Sequence, residues 1–363
     1  MKHINMSKIT YCKLSEKEKP FLLEAISNVL QETGAHDLES SKESAWNWQY
    51  QDLPSSESHV YIAKFQNKVI GYYHIPCYEI KIASQSLKIG HIQSVAVLSE
   101  YRGKGIFQKL ASFANEDINK YVDVIYTFPN NKSIHTFTKY NKFDLVSTLP
   151  VYILPLNIAK IITSRYKFLK SFRIIWSLLD ALFRIFSKTL NKNESVETFQ
   201  NITPEIENLF SEFENKNKIR LTRNKEYLNW RYINSPKGIH KIYGLTHKET
   251  LKAIVIVKKE EIFSCKGLVV MDLAYQTPKD LQKLLTNLFA YTSQENKDSE
   301  SFIFISGLNE GINRLKYCGF IPIPQNFVPR KLNLLARWTG KEISKDLTEP
   351  SSWLITVGDW DVF

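Results

Sequence analysis

The sequence predicts an α/β chain, α+β in detail, made of two tandem copies of one unit joined by a basic amphipathic helical connector. Three observations predict it. Val95-Ala96-Val97-Leu98 reads as a strand that runs through an Arg-Gly-Lys-Gly turn into a helix at Ile106. A W-Q/R-Y-x-x-x-P element occurs twice, at Trp48 and at Trp230, 182 residues apart. Between the copies lies a segment that is both apolar and basic. The expected division is 1–155, 156–195 and 196–363. A chain of 363 residues holds two to three ordinary domains, and 43% hydrophobic content argues against wholesale disorder.

In the first copy, glycines at 103 and 105 let the backbone turn tightly and approach a ligand with no Cβ in the way. The helix start leaves N–H groups unpaired, and these favour an anion, above all a phosphate. Arg102 and Lys104 add positive charge. The chain has no G-x-x-x-x-G-K-S/T loop. It also lacks G-x-G-x-x-G with an acidic residue about 20 positions on, so neither a Walker loop nor a dinucleotide fingerprint is present. Downstream, Val122 to Phe128 reads as the next strand, and Pro129-Asn130-Asn131-Lys132-Ser133 opens another helix.

Over roughly residues 8 to 150 this arrangement resembles the GNAT superfamily of acyl-CoA-dependent N-acetyltransferases. The family's pyrophosphate loop, Q/R-x-x-G-x-G/A, stands here as Arg102-Gly103-Lys104-Gly105-Ile106-Phe107. Phe107 replaces a small residue, a change expected to tighten the cleft. The resemblance implies two GNAT-like mixed-sheet domains and acetyl-CoA, or another acyl-CoA, as co-substrate, with no metal. It implies that backbone groups of Val95, Ala96 and Val97 grip the pantetheine arm. Amides of Arg102, Gly103, Lys104, Gly105, Ile106 and Phe107 would hold the pyrophosphate, and Asn130 and Ser133 would touch the cofactor.

Acyl transfer to an amine needs a held thioester, a polarised carbonyl, a base for the amine and an acid for the leaving thiol. The family's acid is often the Tyr of Y-x-K-x-G-F. Here Phe137-Thr138-Lys139-Tyr140-Asn141-Lys142-Phe143 replaces it, with Tyr140 close by as the candidate acid. A packing role competes, because Tyr317 matches Tyr140 in the second copy. His91 and Glu79 are candidate bases, beside Gln93, and His74 is a weaker one. Asp359, in the C-terminal stretch Thr356 to Phe363, is another, against the alternative of a capped final strand. No cysteine or serine sits in a nucleophile motif, so direct attack on the thioester is expected.

The second copy keeps the scaffold but changes the turn. Its counterpart reads Gln276-Thr277-Pro278-Lys279-Asp280-Leu281, with no glycine and with a proline that removes an amide donor. It is expected to be degenerate, structural or acceptor-binding. Trp48 and Trp230, present in both copies, fit a repeated structural role better than a sugar platform.

The net charge of +11 is uneven: residues 157–192 contain eight basic residues against Asp180 alone, which supplies +7. The polar stripe at Arg173, Ser177, Asp180, Arg184 and Ser187/Lys188 suits an amphipathic helix. It is open whether residues 158–190 are buried between the copies or make peripheral contact with a membrane. A transmembrane span is opposed by Arg173, Asp180 and Arg184. Four scattered cysteines without C-x-x-C argue against zinc or redox pairs. The N-terminus has no signal-peptide apolar core, so a cytoplasmic location is expected, with the inner membrane face as an alternative.

The function expected is acyl-CoA-dependent N-acyl transfer, acetyl above all, to a primary amine of a small molecule. Two-copy proteins with this element resemble acetyltransferases of surface-polysaccharide biosynthesis, which suggests an amino-sugar acceptor. The tandem form also resembles Fem peptidoglycan transferases and two-domain thiol acetyltransferases. The alternatives are a Fem-like aminoacyl transferase using aminoacyl-tRNA, and a non-catalytic acyl-CoA-binding module. Nucleic acid is otherwise not an expected partner.

Overall fold

The computed structural model describes residues 8–33, 42–55, 57–82, 85–131, 133–157, 160, 195–214, 219–262, 265–295, 300–328, 331–340 and 347–360. The helical connector expected at 156–195 lies almost entirely outside these residues. Among the described residues no helix is long and apolar enough to cross a membrane.

In chain order the first half supplies β1 (Ile9–Lys13), α1 (Lys19–Thr33), α2 (Glu43–Tyr50), β2 (Ser58–Phe65), β3 (Lys68–Ile82), β4 (Gln85–Val97), α3 (Ile106–Ile118), β5 (Val124–Thr127), α4 (Ile134–Asn141), β6 (Asp144–Thr148) and β7 (Val151–Pro155). The second half repeats the succession. It runs through β8 (Ser195–Phe199), α5 (Pro204–Glu214), α6 (Lys225–Leu228), β9 (His240–His247), β10 (Thr250–Ile262), β11 (Cys265–Tyr275), α7 (Pro278–Glu295), β12 (Phe302–Leu308), α8 (Glu310–Arg314), β13 (Ile321–Ile323) and β14 (Asn333–Trp338). A short strand, β15 (Ile355–Thr356), closes the chain.

The residues divide into two compact units, Met1–Thr148 with Leu332–Pro350, and Leu149–Lys331 with Ser351–Phe363. The sheet of the first unit runs β1-β2-β3-β4-β5-β14-β6, that of the second β13-β7-β12-β11-β10-β9-β8. Each is mixed: β4 and β5 are parallel, as are β11 and β12, and the other pairs are antiparallel. Continuous apolar runs mark strands covered on both faces. Tyr61-Ile62-Ala63 in β2 is fully buried, and the inner face of α3 contributes Leu110, Ala111, Ala114 and Ile118.

The two units interleave, and here the structure departs from the consecutive division 1–155, 156–195, 196–363. β14 inserts between β5 and β6, and β7 inserts between β12 and β13. The last strand of each copy therefore completes the sheet of the other. Val151 to Leu154 and Leu334 to Ala336 are all buried, as a central strand requires. Trp48 lies in the last turn of α2 and Trp230 sits in the wide helical turn Asn229–Ile233 that follows α6, and both are buried.

Candidate functional site

The site is a gap that opens where two parallel strands part. β4 and β5 pair from Ile89–Val124 to Ile92–Thr127, and the pairing then ends. The Thr127 hydroxyl donates to the Ile92 carbonyl at 3.0 Å at that point. Two residues later β4 bulges: Ser94 takes φ +47°, and the register against β3 slips between Tyr72 and His74. A bulge bends its strand away from a neighbour. Val95 and Ala96, half-buried, follow it on the stretch no longer paired with β5.

His74 holds the bulge. Its Nδ1 bonds the Ser94 carbonyl at 3.0 Å, and its Nε2 accepts the Trp46 indole N–H at 3.0 Å. An indole only donates, so the ring is the neutral tautomer with the proton on Nδ1. Both nitrogens are committed and the side chain is completely buried, so this histidine shapes the strand and does not move protons.

Beyond Val97 the chain makes a single tight turn, Ser99–Tyr101, and reaches the glycines. Gly103 and Gly105 have φ +74° and +73°, and a Cβ at either would meet nothing within 4 Å. Positive φ explains why glycine is needed, and the empty surroundings show that the turn faces open space. Gly105 precedes α3 and its carbonyl takes the Lys109 N–H at 3.1 Å. The amides of Ile106, Phe107 and Gln108, in the first turn of α3, have no acceptor within the helix.

Arg102 is anchored: its Nε donates to the Val97 carbonyl at 2.8 Å and its guanidinium pairs with Glu32 at 3.0 Å. Glu32 also accepts from Ser99 at 2.7 Å. Sequence reasoning missed Glu32, and its separation of 70 residues from Arg102 leaves no local signal. Lys104 donates to the Glu100 carbonyl at 3.0 Å. Phe107 differs from expectation. Its ring packs among Tyr73 and Phe137, at 6.3 and 6.1 Å between centroids, so it joins the core instead of narrowing the gap.

At the far side Asn130 accepts the Ser133 N–H at 3.0 Å and the Ser133 hydroxyl at 3.2 Å, fixing the chain as it enters α4. His91 and Gln93 are buried just before the bulge. The His91 ring stacks on Tyr126 at 4.3 Å and meets the edge of Phe128. Glu79 is exposed and pairs in register with Lys88, five residues ahead of Gln93, about 17 Å along the strand at the usual rise. It is therefore away from the gap. Tyr140 is 45% exposed on α4, its ring meeting the His135 ring edge-on and lying under the Lys139 ammonium.

Asp359 belongs to the second unit. It is buried, and both carboxylate oxygens are taken by Arg223 at 2.9 and 2.8 Å. Burial lifts its pKa above the ordinary value even with Arg223 beside it. The first unit also brings together Glu57, His59 and Cys77, with ligand-type atoms within 4.8 Å of one another. Glu57 is already paired with Lys88 at 2.6 Å, and burial pushes the Cys77 thiol up to about 12. That set is poorly prepared to take a cation.

Residues 10–144 match the family model described as "Acetyltransferase (GNAT) domain". The first unit carries a GNAT domain. Solved structures share the fold over most of the chain. A GCN5-related N-acetyltransferase from Anabaena variabilis is 12% identical with a TM-score of 0.60, covering 92% of this chain and 73% of that one. A conserved protein of unknown function from Enterococcus faecalis, described as a probable N-acyltransferase, is 11% identical with a TM-score of 0.61, covering 91% of this chain and 72% of that one. A putative acetyltransferase from Pyrococcus horikoshii is 12% identical with a TM-score of 0.54, covering 98% and 95%. No curated protein matches the sequence.

Within the GNAT domain the end of α4 fixes the register of Y-x-K-x-G-F. Lys142 ends α4 in the left-handed conformation, φ +56°, where the pattern has its glycine. Phe143 then stands as the pattern's Phe, and Thr138 stands where the tyrosine would be. The Thr138 hydroxyl donates back to the Ile134 carbonyl at 3.1 Å. An aliphatic hydroxyl tied into its own helix offers no proton of suitable acidity to a leaving thiolate.

Proposed function

We propose that the first unit binds acyl-CoA in the gap between β4 and β5 and transfers the acyl group directly to a primary amine. The observation that carries this is the conjunction of the opened gap with the turn at 102–107. The pantetheine arm would lie along Val95 to Val97, and the pyrophosphate would meet the amides of Gly103 to Phe107. Arg102, held by Val97 and Glu32, would present its remaining N–H groups to the phosphates. Asn130 and Ser133 would border the arm from the α4 side.

In this reading the protein supplies positioning more than acid–base chemistry. Holding amine and thioester in contact accounts for most of the acceleration open to it. His91, stacked on Tyr126 at the head of the gap, is the titratable residue best placed to relay a proton from the amine. The acceptor we infer is a small-molecule amine, with amino sugars of surface-polysaccharide synthesis as the first class to screen. Membrane contact through 158–190 remains part of the proposal.

The second reading is an acyl-CoA-binding module without turnover, favoured by Thr138 in the acid's position. Thiol release from acetyl-CoA, followed across amino sugars, amines and amino acids, tests both. Amine-dependent release supports transfer. Binding of acetyl-CoA with no release over any acceptor supports the module, and absence of binding rejects both.

A further inference from the structure

The second unit has a gap in the same place, and it is filled. β11 and β12 pair in parallel only at Leu268–Ile303 and Val269–Phe304 before they part. β5 stops at Thr127, but β12 continues past its gap to Leu308. There Gly307 and Leu308 take Thr356 and Ile355 as antiparallel partners. The chain enters this position through Ile219, whose amide donates to the Ser352 carbonyl and whose carbonyl accepts from Leu354, each at 2.9 Å.

Several buried side chains around the gap hold this segment. Arg223, buried, holds the Asp359 carboxylate and also donates to Asp272 on β11 at 2.7 Å. Thr356 donates to Asp272 at 3.2 Å, and Tyr232 donates to it at 2.8 Å. Arg231 donates to the carbonyls of Gly358 at 3.2 Å and Trp360 at 2.5 Å. A Cβ on Gly307 would overlap the Ile355 carbonyl. One on Gly358 would overlap the Tyr232 hydroxyl and stand 3.0 Å from the Met271 carbonyl. Trp353, Leu354, Ile355, Val357 and Trp360 are buried.

The phosphate end is closed in the same manner. At the start of α7 the Asp280 carboxylate accepts the Thr277 N–H at 3.0 Å and the Thr277 hydroxyl at 2.6 Å. Thr277 and Asp280 thus cap each other at this helix start, where the matching turn of the first unit faces open space.

We propose that residues 353–360 are a built-in ligand of the second unit: a peptide, the short strand Ile355–Thr356 followed by the tight turn Val357–Asp359, held in the gap that the first unit leaves open for acyl-CoA. One chain therefore takes up one acyl-CoA, and the second gap is a peptide site occupied in cis. The cofactor half of this statement rests on the function proposed above.

Two measurements on the full-length protein test it. Native mass spectrometry with acetyl-CoA counts ligands per chain. Hydrogen exchange reads the amides of 355–360 with and without acetyl-CoA. The expected result is one acetyl-CoA, together with exchange at 355–360 as slow as in β11 and indifferent to the ligand. Two acetyl-CoA per chain, or 355–360 exchanging like a free tail, would overturn the proposal. If no acetyl-CoA binds while 355–360 stay protected, the transferase reading fails and the peptide site stands. Gly358→Ala should speed exchange across 355–360 by about tenfold or more, the factor that corresponds to ~1.4 kcal/mol. Unchanged exchange in that variant counts against the fit. Asp359→Asn, which weakens the grip of Arg223 without adding volume, should act in the same direction if Gly358→Ala fails to fold.

Discussion

Gly105 shows how much one residue can decide. It is left-handed and faces open space, so a side chain there costs little packing and about 1 kcal/mol in backbone strain. Gly105→Asp adds a negative charge beside the first amides of α3. Isothermal titration should show acetyl-CoA binding weakened at least tenfold, while the melting temperature falls by only about 2–4 °C. Tyr140→Phe should leave turnover unchanged, because Tyr140 falls on the lysine position of the Y-x-K-x-G-F register and not on the tyrosine's. His240 makes a pH prediction. Burial, helped by the charges of Arg231 and Lys258, lowers its pKa to about 4. The unfolded chain takes up this proton near pH 6.5 and the folded chain only near 4, so stability present above 6.5 is lost as pH falls across that window. Denaturant titrations at pH 7 and pH 5 should show the loss, and His240→Gln should flatten it.

Among the elements, β4 has the most demanding task, since it must pair on one side and release its partner on the other. The bulge at Ser94 does this, and His74 and Trp46 keep it in place. His74→Ala strands a buried indole N–H and a strand carbonyl, each costing about 1–3 kcal/mol. Chemical denaturation should report a loss of several kcal/mol, and acetyl-CoA affinity should fall with it. The glycine turn was legible in the sequence because positive φ selects glycine locally. The strands and α3 were legible from apolar periodicity. His74 was not, because a histidine facing an indole 28 residues away carries no periodic mark. Asp359 looked like a candidate base for a similar reason: its partner Arg223 is 136 residues distant, so its charge seemed available. Phe107 read as an intrusion into the gap because its neighbours, Tyr73 and Phe137, come from other elements.

At the scale of the whole molecule, the duplication was visible but the exchange of strands was not. Nothing local in Val151 to Leu154 says which sheet receives that strand. A chain ending at residue 155 therefore lacks the strand that belongs between β5 and β6. Expressed alone, residues 1–155 should expose the edges of β5 and β6, bind a hydrophobic dye and fail to give a cooperative melt. A chain with both halves should melt cooperatively. A well-behaved 1–155 fragment would show that β14 is dispensable. Reciprocal exchange of a terminal strand is also the topology expected when a strand-swapped dimer becomes one polypeptide by fusion.

The placement of β14 has a consequence in time. Chains emerge from the ribosome N-terminus first, at about 5–20 residues per second, and domains generally fold as units as they emerge. The first unit cannot follow that schedule, because residues 333–338, which pair with β5 and β6, are made long after both of those strands. Its sheet waits unfinished, on the order of 10–40 s at those rates, while nearly two hundred further residues are added. During that interval the vacant slot between β5 and β6 is open to any passing strand. Anything that stalls synthesis before residue 333 should therefore yield an aggregating product, although the whole GNAT sequence, 10–144, has already been made.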